Sequence, residues 1–267
     1  VGTALVITSL GWMWGFWVSG IVCMFAAMFI WRFLYERPEV YGLPIVNHPE
    51  KGEQAKLSVT KKQWQVFRNP AVWILALSSA CFYVTRYAVN SWGIFFLEAE
   101  KGYTTIEASS IVSANAIAGI FGTFFSGMLS DRFFAGRRNV PALIFGILYA
   151  LTAALFFFGP ADATVDTLAM AVFGVSLGVL MVYLGGLMAV DICSKEVSGS
   201  VLGVVGVASY IGAGLQDIIS GILIEDAKTV VNGVDVYNFD AAATLWVGAA
   251  VVSFILALFV WNVRSPD

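Results

Sequence analysis

Polar residues are sparse along this chain, and the runs between them are long. Apolar windows at residues 14–34, 71–97, 108–129, 140–158, 168–190, 201–224 and 241–263 each approach or exceed the roughly 20 residues that a helix needs to cross a bilayer's hydrocarbon. They are far longer than barrel strands and lack alternating polarity, and lipid cannot satisfy bare backbone amides, so helices are the only spanning form available. The predicted fold class is all-α, a polytopic membrane helical bundle.

Residues 36–68 form the one long polar segment, interrupted by Pro38, Pro44, Pro49 and Gly52. It reads as a linker between bundles. Residues 1–35 are then the end of a preceding bundle, with residues 1–10 as the tail of an earlier helix, and residues 69–267 are a six-helix bundle. The polarity of the spans has a period of three. The first, fourth and seventh carry no amide or charge in their middles, whereas the second has Arg86 and Asn90, the third Asn115, and the sixth Gln216 and Asp217; the fifth contributes Tyr183 among glycines. That pattern predicts two three-helix repeats in which the third helix faces lipid and the first two line an interior path. Small residues, among them Gly174, Gly178, Gly199, Gly203, Gly206, Gly212, Gly214 and Gly221, are expected to set close helix packing.

Composition agrees with a membrane solvent: 59% of the 267 residues are hydrophobic and only 12% are charged, too little polar surface for a soluble domain. The 15 Lys and Arg are distributed unequally. The linker and its flanks, the loop after the third span, Lys195 and Arg264 hold 12 of them; the other side holds Lys101 and Lys228 among acids such as Asp162, Asp166 and Asp235. By the positive-inside rule the linker and the C-terminus are cytoplasmic. Cys23, Cys81 and Cys193 have neither metal-ligand nor disulfide-framework spacing and read as small buried residues.

The fifteenth base, Arg86, lies within the second span. Facing lipid there would cost about 2.5–3.5 kcal/mol, so it must face protein, water or a ligand. Helical spacing places Ser79, Tyr83, Arg86, Asn90 and Gly93 on one stripe. A guanidinium is a permanent cation whose planar fork suits phosphate or carboxylate. The alternative is a structural ion pair, for which Asp217 on the sixth span is the candidate partner. Asp217 shares a face with Tyr210, Gly214 and Gly221, and could instead hold substrate hydroxyls or take up a proton; Gln216 beside it points about 100° away. At the end of the third span, Asp131, Arg132, Arg137 and Arg138 read either as topology anchors or as a conformational latch that pairs in one state and releases in another.

Four segments, in order, carry a family resemblance: Glu-Arg-Pro-Glu-Val-Tyr-Gly-Leu-Pro at 36–44, Phe-Tyr-Val-Thr-Arg-Tyr-Ala-Val-Asn-Ser-Trp-Gly at 82–93, residues 127–138, and residues 195–212. Over its whole length the chain resembles the organophosphate:phosphate antiporters of the major facilitator superfamily, which include glycerol-3-phosphate and hexose-phosphate transporters. The resemblance implies that the seven spans correspond to the sixth to twelfth of a twelve-helix inner-membrane (plasma-membrane) transporter, its N-terminal bundle lying outside these residues. It also implies that Arg86 clamps the phosphate of the substrate together with a second arginine in the first span, and that Tyr83 and Tyr210 face the cavity. The implied partners are an organophosphate, inorganic phosphate and the bilayer. The chain departs from the family at Tyr183, within a segment that lacks the usual Gly-Pro pair, at Ser91, where an acid is common, and at Asp217. These departures leave the organic part of the substrate open.

The resemblance also implies an alternative reading, a transporter-like sensor, because close relatives of these antiporters bind external hexose phosphate and signal to a membrane kinase. A seven-helix receptor is excluded because the last span has no Asn-Pro motif and no lysine is placed for a retinal Schiff base. The lone His48 lies in the linker, and no nucleophile, base or metal-ligand set gathers in one helix neighbourhood. Hence no catalytic residue, metal or cofactor is expected, nor any nucleic-acid partner.

Overall fold

The computed structural model describes residues 6, 11–34, 42, 63, 64, 66–134, 139–193, 197–231 and 233–260. Among them seven helices are long and apolar enough to cross a membrane, one in each predicted span. The chain divides into two compact units, Val1–Ser58 and Val59–Asp267, and the division falls within the polar linker. The first unit contains α1, Trp12–Phe33, in which only Gly15 is buried within the unit. Apolar on every side, α1 is suited to lipid and to other helices, not to water.

The second unit is the bundle. It comprises α2 (Pro70–Ala99), α3 (Thr105–Phe133), α4 (Asn139–Phe158), α5 (Ala163–Val182), a π turn (Tyr183–Leu187) leading into the short α6 (Met188–Ile192), α7 (Ser198–Asp226) and α8 (Asp240–Phe259). Polar residues between the apolar runs start the helices. Asn69 accepts from the Ala71 amide at 3.0 Å with Pro70 in the first turn, and Thr104 and Glu107 form a reciprocal capping box on α3. Asp162 Oδ1 accepts from Thr164 N and Val165 N at 2.8 and 3.0 Å. Each arrangement satisfies amides that a helix start leaves without partners. The Asp162 cap starts α5 five residues before the apolar window at 168, because Thr164, Asp166 and Thr167 dilute the hydropathy of that first turn. A short antiparallel hairpin, β1 (Thr229–Val231) with β2 (Val234–Val236), joins α7 to α8; the hydropathy pattern gave no sign of it.

Helix α2 packs on α7, α8 and α3, while α5 packs on α3 and α4, and α8 also contacts α4. Exchanging α2 with α5, α3 with α7 and α4 with α8 reproduces the main contacts, which is the three-helix repeat predicted from polarity. The outer side chains of α4, including Ile144, Ile147, Leu151 and Leu155, are apolar.

Glycines set the closest approaches. A Cβ on Gly122 would run into the Val175 carbonyl, one on Gly174 into the Asn115 carbonyl, and one on Gly178 into the Gly119 carbonyl, all at the α3–α5 contact. At the corresponding α2–α7 contact a Cβ on Gly212 would lie 2.8 Å from the Ala80 carbonyl oxygen. The expectation of close packing therefore holds at Gly174, Gly178 and Gly212. It is corrected at Gly199, Gly203, Gly206 and Gly214, where a Cβ would have nothing within 4 Å, so no helix approaches closely at those four positions. Polar locks join the helices elsewhere. Ser78 and Ser253 each donate to the other's carbonyl at 2.8 Å, tying α2 to α8.

Candidate functional site

The α2 stripe has different neighbours along its length. At one end Ser79 is buried and shares a 2.8 Å hydrogen bond with Ser209 of α7. At the other end Gly93 lies against α3, where its Cβ position is 3.5 Å from a Val112 methyl. Between these two helix contacts α2 opens, and there Tyr83 and Arg86 are half-buried and Asn90 exposed.

Aromatic faces hold the guanidinium. Arg86 Cζ lies 5.0 Å from the centre of the Tyr83 ring and 5.5 Å from that of Tyr87. Tyr210 of α7 meets both rings edge-on, at 5.6 and 6.3 Å. Ring faces attract a cation without consuming its hydrogen-bonding fork, so the charge is positioned and its donors stay available. Among the described residues no carboxylate is within salt-bridge distance of Arg86. Asp217, the candidate ion-pair partner, is half-buried with Oδ1 unbonded, so Arg86 and Asp217 do not pair. Tyr87 was not predicted, although it is one turn from Tyr83 on the same helix, and that spacing could have revealed it.

Arg86 and Asn90 form one wall of a cleft of about 510 Å³. The α3 wall facing them includes Asn115, Gly119 and Thr123, with Leu177 of α5 behind. Thr123 Oγ1 is already engaged, donating to the Gly119 carbonyl at 2.9 Å. Asn115 is only 5% exposed.

Two other predicted residues lie in the packed interior, which corrects their expected place in the path. Tyr183 is fully buried, and its hydroxyl donates to the Ser126 carbonyl at 2.8 Å. Gln216 is also buried, its Nε2 donating to Ser220 Oγ at 2.9 Å, the same oxygen that Trp246 Nε1 reaches at 2.8 Å. The reason for Gln216 is helical: about 100° from Asp217, it turns toward Trp246 of α8, away from the open face. Asp131 and Arg132 are exposed on the last turn of α3 and form no ion pair with another described residue. Arg137 and Arg138 lie outside the described residues.

Comparison with known proteins gives a consistent picture. The family model described as Major Facilitator Superfamily matches residues 1–216. The glycerol-3-phosphate transporter of Bacillus subtilis is 25% identical over 98% of this chain and 58% of its own length. A probable hexose phosphate transport protein of Chlamydia trachomatis is 27% identical over 99% of this chain and 60% of its own. The membrane sensor protein UhpC of Salmonella typhimurium is 30% identical over 77% of this chain and 49% of its own. The chain thus spans about three-fifths or less of these relatives.

Proposed function

The chain belongs to the Major Facilitator Superfamily, and on that premise we propose that it is part of a secondary active transporter exchanging an organophosphate, a sugar phosphate or glycerol phosphate, for inorganic phosphate by alternating access. The observation that carries this reading is Arg86, a cation on a cleft inside a membrane helix, held by tyrosine rings and unpaired by any described carboxylate. A charge so placed is satisfied by an anion entering the cleft, and the guanidinium fork matches phosphate through two parallel hydrogen bonds. Names of relatives that refer to glycerol 3-phosphate and hexose phosphate support the substrate class.

In this mechanism Arg86 binds the phosphate that both substrates share, so the two compete for one site and cross in opposite directions. The Tyr83 and Tyr210 hydroxyls border the anion, Asn90 lies one turn further along α2, and Asp217 faces the same side as a group for a proton or a substrate hydroxyl. A second arginine, implied by the family resemblance, would come from outside these 267 residues. Asp131 with Arg132, Arg137 and Arg138 would act as the latch. The protein would lie in the inner (plasma) membrane with the linker and C-terminus cytoplasmic.

The test is exchange by the intact protein in vesicles loaded with inorganic phosphate. Uptake of glucose 6-phosphate or glycerol 3-phosphate against phosphate is expected, with Arg86→Ala abolishing phosphate binding and Arg86→Lys impairing it. Undiminished phosphate binding by Arg86→Ala would falsify the reading. The likeness to a membrane sensor protein supports a second one, a transporter-like sensor of hexose phosphate acting on a kinase; saturable binding without flux would favour it.

A further inference from the structure

We propose that Asn90 and Asn115 together form an amide seat that reads hydroxyl groups on the organic part of the substrate, making the preferred organophosphate a polyol or sugar phosphate over one carrying a carboxylate. The inference rests on the reading of Arg86 as the phosphate site and extends it to the opposite wall of the cleft.

Helix arithmetic puts the two amides at one level. Helices α2 and α3 are antiparallel neighbours linked through residues 100–104, and they touch where Gly93 meets Val112. One turn inward from that contact is Asn90 on α2, three residues before Gly93, and Asn115 on α3, three residues after Val112. Both line the same cleft. One turn further, Arg86 is level with Gly119, which lines the same cleft. Arg86 and Asn90 are about 6 Å apart along the axis, a span suited to a phosphate ester and a hydroxyl a few bonds away.

Asn115 is held in place from behind. Gly174 brings the backbone of α5 so close that a Cβ there would strike the Asn115 carbonyl. Asn115 is 5% exposed as a residue, and its amide makes no hydrogen bond with a described residue. Its amide is thus free to bond, and the cleft it lines is where it can find a partner. The other polar group of that wall, Thr123, already donates to the Gly119 carbonyl. An amide both donates and accepts, as a hydroxyl does, whereas a carboxylate only accepts. Among the described residues lining the cleft Arg86 is the sole charged one, so a substrate carboxylate would meet no second cation from them.

Binding to the intact protein is measured by competition with inorganic phosphate, glycerol 3-phosphate, glucose 6-phosphate and 3-phosphoglycerate, in wild type, Asn115→Leu, Asn90→Leu and Arg86→Ala. Wild type is expected to favour the first two organophosphates over 3-phosphoglycerate. Asn115→Leu should weaken those two about tenfold while leaving inorganic phosphate unchanged. An unchanged ratio of organophosphate to phosphate affinity overturns the amide seat and leaves the Arg86 site standing. If Asn115→Leu loses all binding, Asn90→Leu on the exposed cleft surface decides: a shifted ratio supports the seat and an unshifted one overturns it. Phosphate binding that survives Arg86→Ala overturns the anion site and the seat with it.

Discussion

Lys101 Nζ lies 2.6 Å from Asp166 Oδ1, with 5% of the lysine side chain and none of the aspartate side chain exposed. Tyr103 completes the cluster by donating to Asp166 Oδ2 at 2.9 Å, and the ammonium rests 5.6 and 5.4 Å from the ring centres of Phe96 and Phe156. Both carboxylate oxygens are thereby satisfied, the condition under which a buried ion pair is tolerated. The cluster fastens the α2–α3 loop to the first turn of α5, so the ends of two helices that belong to different repeats are tied together.

Removing one member of that pair leaves an uncompensated buried charge. Lys101→Met is expected to destabilise the bundle by about 3–5 kcal/mol, read as a lowered thermal midpoint of the intact protein in detergent. Adding Asp166→Leu removes the stranded carboxylate and should restore much of the loss. A Lys101→Met midpoint equal to wild type would show that the pair is not closed off from water.

Tyr103 gives the cluster a signature at high pH. Loss of surrounding water, then the hydrogen bond and negative charge of Asp166, push its hydroxyl up from 10.0 to about 12. Because the folded state keeps a proton that the unfolded state releases, this contribution to stability is full below pH 10 and is lost as pH rises through about 12. The difference in tyrosinate absorbance between wild type and Tyr103→Phe should therefore show one tyrosine titrating near the upper value. A difference curve centred on the ordinary value would contradict the bond from Tyr103 to Asp166.

The α3–α5 contact has no room for a methyl group. Gly174→Ala and Gly122→Ala each drive a Cβ into a backbone carbonyl and are expected to cost roughly 1–3 kcal/mol. Gly248→Ala on α8, where nothing lies within 4 Å, should leave the midpoint at or slightly above wild type. Equal effects at the three positions would mean that helix propensity, not contact, governs these glycines.

Much of the architecture is local and was legible. A hydrophobic run long enough to span a bilayer is nearly sufficient to specify a helix there, because lipid leaves the backbone no other partner. The period of three in the polar residues foretold the repeat. Arg86 was equally conspicuous, since a cation in such a run is costly wherever it faces lipid. Asp166 was read as a loop charge, although it is among the most buried residues of the bundle. Its partner is 65 positions away, a distance that no helical period reports.

The sequence by itself determined the number of spans and their helical state, and it marked Arg86 as the one base inside a span. Tertiary structure alone decided which part of the Ser79 to Gly93 stripe is open, because packing by Ser209 and Val112 closes its two ends. It likewise turned Gln216 and Tyr183 inward and placed Asn115 on the same cleft as Asn90. Such choices depend on where neighbouring helices approach, and that is settled by backbone contacts at residues such as Gly122, Gly174 and Gly212, which carry no side chain from which to read them.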